Sequence, residues 1–343
     1  MQNVETNRGL RLVAIGGGTG LSTLLSGLKR FVGDNGDGAW LESLSAIVTV
    51  SDDGGSSGRL REELQMLPPG DIRNCMIALS EDSTLLARLF RYRFRGSGDL
   101  AGHSFGNLFL AALTDVTGDF VEAVRLSSEV LASKGHIFPA TINDVRLVAE
   151  LDDGSEVHGE TQITAARVPI RCLRLEPERC LPLPEALSAI RAADVITVGP
   201  GSLYTSIIPN LLVASVADAI GEASATKIFI SNLMTQPGET DGYDVGQHLG
   251  TVAKYAPQIR FDYLILNSRA ISSEQAEHYR ADGAYQVGVE EDANTIAFSE
   301  TEVVRADLLA DGEMVRHDSA RLSRVVVACG EKARSRVGIA VES

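Results

Sequence analysis

Short apolar runs that end in glycine-rich or polar loops recur along this chain, and they set the expected architecture. Arg11-Leu12-Val13-Ala14-Ile15 has the pattern of a buried strand and runs into Gly16-Gly17-Gly18-Thr19-Gly20. The following residues, Leu21 to Lys29, place apolar side chains at helical spacing. Ile47-Val48-Thr49-Val50 is a second strand, leading through Ser51 into Asp52-Asp53-Gly54-Gly55-Ser56-Ser57-Gly58-Arg59. Residues 194–198 form a third, before Gly199-Pro200-Gly201-Ser202-Leu203-Tyr204-Thr205-Ser206. Residues 227–230 form a fourth, before Ser231-Asn232-Leu233-Met234-Thr235-Gln236-Pro237-Gly238-Glu239-Thr240. Two further strands are expected at 263–266 and 324–328, and helices at 60–64, 72–80, 83–92, 106–113 and 185–192. Strands alternating with helices predict an α/β fold with a mainly parallel sheet.

Residues from about 136 to 182 break that rhythm. Val145 to Leu151, then Asp152-Asp153-Gly154-Ser155, then Glu156 to Glu160, read as strand, turn and strand, with Asp-Gly as the hairpin signal. This stretch is expected to be an antiparallel β insertion in a single α/β domain spanning 11–343. Residues 1–10 are expected to be a mobile tail.

If the sheet is parallel, the four loops face one crevice, because open parallel sheets bind ligands at the carboxyl ends of their strands. Gly17, Gly18, Thr19 and Gly20, between a strand and a helix, have the composition of a phosphate site at a helix N-terminus. A dinucleotide fingerprint places an acidic residue about 20 positions beyond its glycines. Here Asp52 and Asp53 lie more than thirty residues past Gly20, unless Gly33 to Gly38 is an inserted loop. Gly54, Gly55, Ser56, Ser57 and Gly58 offer main-chain donors for an anion, with Arg59 as either a charge partner or a solvated side chain. Asp52 and Asp53 suit sugar hydroxyls, a ring N–H or a divalent cation rather than a bare phosphate. On an extended segment they point to opposite sides, so one is expected to face the ligand and the other to cap the loop.

Other residues have two readings each. Asp71, after Pro68-Pro69-Gly70, is either an N-cap or a ligand contact. Arg73, in the first turn of the next helix, opposes the helix dipole and calls for an anionic partner, Asp71 or a phosphate. His103 and Asn107 either bond a sugar or ring, or brace their loop. Gly199, Gly201 and Ser202 supply a stiffened donor loop around Pro200. Tyr204 either stacks on a base or is packed, and Asn232 either reads a sugar or uracil or braces its strand end.

Composition narrows the classes. A formal charge of −15 argues against nucleic-acid or broad anionic-membrane binding. No apolar run reaches membrane-spanning length, and the first residues lack a secretion signal. Cys75, Cys172, Cys180 and Cys329 show no metal or redox spacing, so reduced thiols are expected. No Ser/His/Asp order or zinc spacing stands out.

The sequence resembles the bacterial gluconeogenesis factor family, in the superfamily of the phospholactate transferase of deazaflavin coenzyme synthesis. Its carriers are the Gly16–Gly20 loop, Ala46 to Arg61, Leu67-Pro68-Pro69-Gly70-Asp71-Ile72-Arg73-Asn74, Ala101-Gly102-His103-Ser104-Phe105-Gly106-Asn107-Leu108, the loops after Val198 and Ile230, and a weaker echo at Val315-Arg316-His317-Asp318. The resemblance implies a three-layer Rossmann-like fold and a cytoplasmic protein that supports cell shape and envelope synthesis on gluconeogenic carbon. It also implies binding of UDP-sugars, UDP-N-acetylglucosamine in particular, without an established reaction. A non-catalytic binding or regulatory role is the first expectation. An alternative is a transferase acting on a nucleotide-activated phospho-substrate, with Mg²⁺ on Asp52 or Asp53. A nicotinamide-dependent oxidoreductase is the third, disfavoured by the acid spacing. A homodimer is the expected oligomer.

Overall fold

The computed structural model describes residues 8–33, 40–81, 85–288 and 300–341. Its strands are β1 (Leu10–Gly16), β2 (Leu41–Val48), β3 (His136–Pro139), β4 (Arg146–Leu151), β5 (Glu156–His158), β6 (Ile170–Glu176), β7 (Val195–Val198), β8 (Thr226–Ile230), β9 (Tyr263–Asn267) and β10 (Glu302–Ala306). Seven of them form one sheet in the order β10-β9-β8-β7-β1-β2-β3, and every neighbouring pair in it is parallel. From β1 the chain steps outward through β2 to β3, then returns to the other side of β1 and continues through β7, β8, β9 and β10. This is the doubly wound order, with its switch point between β1 and β7.

The inner strands are apolar because helices cover both faces of a parallel sheet. β7 and β9 are buried at every position, and β1 is buried at all but Arg11. The helices are α1 (Gly18–Leu28), α2 (Gly55–Leu64), α3 (Gly70–Leu79), α4 (Leu85–Arg91), α5 (Phe105–Thr117), α6 (Phe120–Val130), α7 (Glu160–Ala166), α8 (Pro184–Ala192), α9 (Ile208–Leu212), α10 (Val216–Glu222), α11 (Val245–Tyr255), α12 (Ser273–Ala281) and α13 (Ser319–Val341). A π-helical turn, Leu203–Ile207, precedes α9. No single helix among the described residues is long and apolar enough to cross a membrane.

Three local expectations need correction. The stretch 324–328 is not a strand but part of α13. Its Val-Val-Val core suits either state, and packing decides it: Leu322, Val326 and Cys329 fall on one buried helical face. The seventh strand is instead β10, a half-buried edge strand whose charged ends hid it. The departure from parallel order begins later than 136, because β3 pairs parallel with β2 in the main sheet. The insertion itself is a three-stranded antiparallel sheet, β5-β4-β6, carrying α7. Residues 8–10 are not tail: Leu10 opens β1, and Arg8 bridges to Asp194 at 2.7 Å. Residues 1–7, 34–38 of the Gly33–Gly38 loop, and 83–84 of the 83–92 helix lie outside the described residues.

Helix α13 closes the sheet by crossing α1 at Gly27. A Cβ on Gly27 would stand 2.0 Å from the Ser319 carbonyl oxygen and 2.7 Å from Ser323 Oγ. Gly27→Ala is therefore expected to push the two helices apart and destabilise the fold by about 1–3 kcal/mol. A lowered thermal midpoint would show this, while Ser26→Ala on the same helix leaves the midpoint near wild type.

Candidate functional site

The C-terminal ends of β2, β1, β7 and β8 stand side by side, and their four loops gather over the switch point. The approach is close enough to exclude side chains. A Cβ on Gly20 would meet the Pro200 carbonyl oxygen at 2.4 Å, and one on Gly17 would meet Asp71 Oδ2 at 2.6 Å and Thr49 Cγ2 at 2.8 Å. Gly18 and Gly199 have φ of +61° and +85°, in the region that favours glycine. Asn232 Oδ1 accepts from Gly201 N–H at 3.3 Å, and Gln236 Nε2 donates to Ser202 Oγ at 2.7 Å. Thus Asn232 ties the β8 loop to the β7 loop, and Gly17, Gly18, Thr19 and Gly20, after β1, pack against the other side of the β7 loop.

Asp71 is not the N-cap of its own helix, which begins one residue earlier at Gly70 with Pro69 before it. Its carboxylate instead accepts from Gly18 N–H at 2.7 Å and so caps the neighbouring α1, which has no side-chain cap of its own. Burial, and then the charge of Asp52, push the Asp71 carboxyl up to about 6.

Asp52 and Asp53 diverge as adjacent extended residues should. Asp52 Oδ1 accepts from Gly54 N–H at 2.8 Å, while its Oδ2 lies over Gly70, 2.8 Å from where a Cβ would stand. Asp53 turns to the insertion: its Oδ1 accepts from Thr161 N–H at 3.0 Å and Thr161 Oγ1 at 2.7 Å. Asp53 therefore holds the N-terminus of α7.

The Gly-Ser loop is in fact the first turn of α2, and its serines are interior. Ser56 and Ser57 are buried. Ser56 Oγ lies 3.0 Å from His103 Nδ1 and accepts from Asn107 Nδ2 at 3.1 Å. Asn107 Oδ1 accepts from Arg73 Nη1 at 3.0 Å, and Arg73 Nη2 donates to Asn74 Oδ1 at 2.6 Å. Arg73 thus hydrogen-bonds amide oxygens, with the charges of Asp71 and Asp52 nearby, and its buried Nε has no hydrogen-bond partner among the described residues. Burial, then the nearby charge of Arg93, hold its pKa below the usual guanidinium value. Burial, then the charge of Arg59, likewise lowers the His103 pKa.

Two further side chains are held by the protein itself. Tyr204 takes the packed one of its two readings: its ring is buried and its hydroxyl pairs with that of Tyr243 at 2.9 Å. Arg59 donates to the carbonyls of Ala101 at 2.8 Å and Asp99 at 3.4 Å.

Sequence reasoning missed two carboxyls. Glu160, at the start of α7, is pushed up to about 9 by burial and then by Asp52, Asp71, Glu239 and Asp53. Glu239, in the β8 loop, is pushed up to about 7 by burial; its Oε1 accepts from Thr164 Oγ1 at 3.2 Å, and its buried Oε2 has no close hydrogen-bond partner among the described residues. Glu239 lay within a motif already singled out, but Glu160 sat in a segment that reads as surface. His317 closes the β8 side; burial pushes it down to about 4.

Among the described residues, no three acidic, His or Cys side chains stand in a metal-ligating arrangement. Mg²⁺ does not need one, since it commonly takes one or two carboxylates and completes its shell with water and substrate phosphate. Asp52 fits that role by its place among the other carboxyls; Asp53 is engaged by α7.

A model of the CofD family, described as 2-phospho-L-lactate transferase CofD, matches residues 12–309. The chain belongs to the CofD family. This CofD-family chain is 47% identical over 320 residues to a Thermotoga maritima protein provisionally named a gluconeogenesis factor, covering 92% of this chain and 98% of the relative. It is 43% identical over 318 residues to the gluconeogenesis factor of Bacillus subtilis, covering 92% and 97%. A crystal structure of a Bacillus halodurans protein superimposes with a TM-score of 0.87 at 41% identity, covering 93% of this chain and all of that one.

Three raised carboxyls imply a sign for the pH dependence. A carboxyl whose pKa is higher folded than unfolded binds its proton more tightly in the native state, so stability falls as pH rises between the two values. For Asp71 the window runs from 3.8 to about 6, for Glu239 from 4.5 to about 7, and for Glu160 from 4.5 to about 9. Denaturant midpoints are expected to decline from pH 5 toward pH 9 (roughly, by these windows). Glu160→Gln should flatten the upper half of that decline; an unchanged slope would remove Glu160 from the cluster.

Proposed function

We propose that this chain is a nucleotide-sugar-binding protein, with UDP-N-acetylglucosamine as the model ligand, acting in the cytoplasm to support cell shape and envelope synthesis on gluconeogenic carbon. The observation that carries the proposal is the juxtaposition at the switch point. Main-chain N–H groups at the start of α1 suit a diphosphate. Arg73, fixed by Asn74 and Asn107, supplies positive charge near it. Asp52 and the Asn232–Gly201 bridge offer acceptors and an amide at the ends of the adjoining strands, where sugar hydroxyls and a ring N–H would lie. The gluconeogenesis-factor name of relatives supports the physiological part of the reading.

A second reading has its own support. The CofD family is named for a transferase, and the carboxyls around Asp52 are the kind of site where Mg²⁺ would neutralise a phosphate and assist attack by an acceptor hydroxyl. That reading requires turnover; the first does not.

Calorimetric titration with UDP-N-acetylglucosamine, UDP-glucose, GDP and NAD⁺, each with and without Mg²⁺, tests both. Metal-independent binding of a UDP-sugar that is recovered intact is the expected result. Gly20→Val, which drives a side chain into the Pro200 carbonyl, should weaken it at least tenfold. Binding of GDP only with Mg²⁺, abolished in Asp52→Asn, would favour the transferase, and silence toward all four would remove both readings.

A further inference from the structure

Two further surface features complement each other. The first is α4 and the segment after it. Leu85 and Leu89 stand at i and i+4 on α4, so they share one helical face, and Tyr92 follows just past the helix end; the three are 69%, 39% and 48% exposed. Between Leu85 and Gly98 the sequence holds Arg88, Arg91, Arg93 and Arg95 and no acidic residue, in a chain of net charge −15. An exposed apolar stripe flanked by arginines is the form of a docking helix read by spaced anchors.

The second feature lies where β9 and β10 end. Helix α12 has no buried residue, although both of its capping bonds are formed. Between it and the 307–315 segment is a cavity of about 710 Å³. Glu274, Asp311 and Glu313 give it acidic walls, Val315 and Met314 give it apolar ones, and Met314 is 52% exposed. Its arginine, Arg269, is already paired with Asp307 at 3.0 Å and Asp311 at 3.5 Å. One face is thus a basic apolar ridge and the other an acidic apolar groove.

We propose that α4 of one copy seats in the α12 groove of a second copy. Leu85, Leu89 and Tyr92 enter the cavity, and Arg88 meets Glu274 or Glu313. A two-fold contact through α4 alone would set arginines against arginines, so the charges favour a head-to-tail arrangement. Such a contact uses different faces on the two copies and ends in a closed ring or an open filament. A contact made through one seven-residue helix belongs with transient interfaces, so assembly depends on concentration.

Sedimentation velocity on the full chain, from micromolar to sub-millimolar concentration, tests this. The wild type is expected to sediment faster as concentration rises and to return to monomer in high salt, which screens exposed charge pairs. Leu85→Ser with Leu89→Ser, and separately Glu274→Arg with Glu313→Arg, should each leave the chain monomeric. Mixed together, these two variants should form a one-to-one dimer and nothing larger, because each still carries the face the other lacks. Thermal unfolding checks that both are folded; should the serine pair not be, Arg88→Glu takes its place. The proposal fails if the wild type stays monomeric throughout, if the groove variant still self-associates, or if the mixture gives no dimer. A monomer whose α4 instead binds anionic vesicles or an acidic peptide would equally overturn it.

Discussion

Everything at the candidate site depends on how closely two backbone segments approach at the switch point of the sheet. The loop after β1 and the loop after β7 come so near that Gly20 has the Pro200 carbonyl where a side chain would begin. Gly17 is hemmed in by Asp71 and Thr49 in the same way. Because β1 and β7 are adjacent parallel strands, their loops leave the sheet in the same direction and are forced together. The N-terminus of α1 is left with donors that neither loop can satisfy. Asp71 reaches across from α3 to take one of them, and the remaining N–H groups of that turn define where an anion can sit.

That arrangement concentrates negative charge beside a donor-rich floor. Asp52, Asp71, Glu160 and Glu239 come from four different elements, and burial, with the charges of their neighbours, raises Asp71 and Glu160, while burial raises Glu239. The insertion takes part directly. Its helix α7 is held by Asp53 through Thr161 and contacts Glu239 through Thr164, so it clasps the loops after β2 and β8 together. A segment that departs from the parallel fold thereby becomes one wall of the site. On the opposite side, the chain Arg73–Asn107–Ser56–His103 locks α3, α5 and α2 to one another. Removing Asn107 would leave Arg73 Nη1 without its amide partner and Ser56 Oγ with His103 alone, and a buried donor left unsatisfied costs about 1–3 kcal/mol.

Much of this was legible in the residues. The apolar strands, their polar loops and their common edge follow from periodicity and glycine placement, as does the family. Individual roles were less legible. Asp71 reads as a local N-cap because a sequence shows only local partners, whereas its true partner is 53 positions away. Ser56 reads as a loop donor because a Gly-Ser run hides the helix it starts. Residues 324–328 read as a strand because three consecutive valines outweigh their helical neighbours until α1 packs against them.

By itself, then, the sequence determined which segments are strands ending in donor-rich loops, because alternation of apolar runs and glycine is local and each strand's burial is written in its own residues. The tertiary structure alone decided which carboxyls gather, that Glu160 and Glu239 join them, and that Tyr204 and Arg59 are engaged elsewhere. Desolvation and charge repulsion depend on distances between residues far apart in the chain, and only the folded sheet sets those distances.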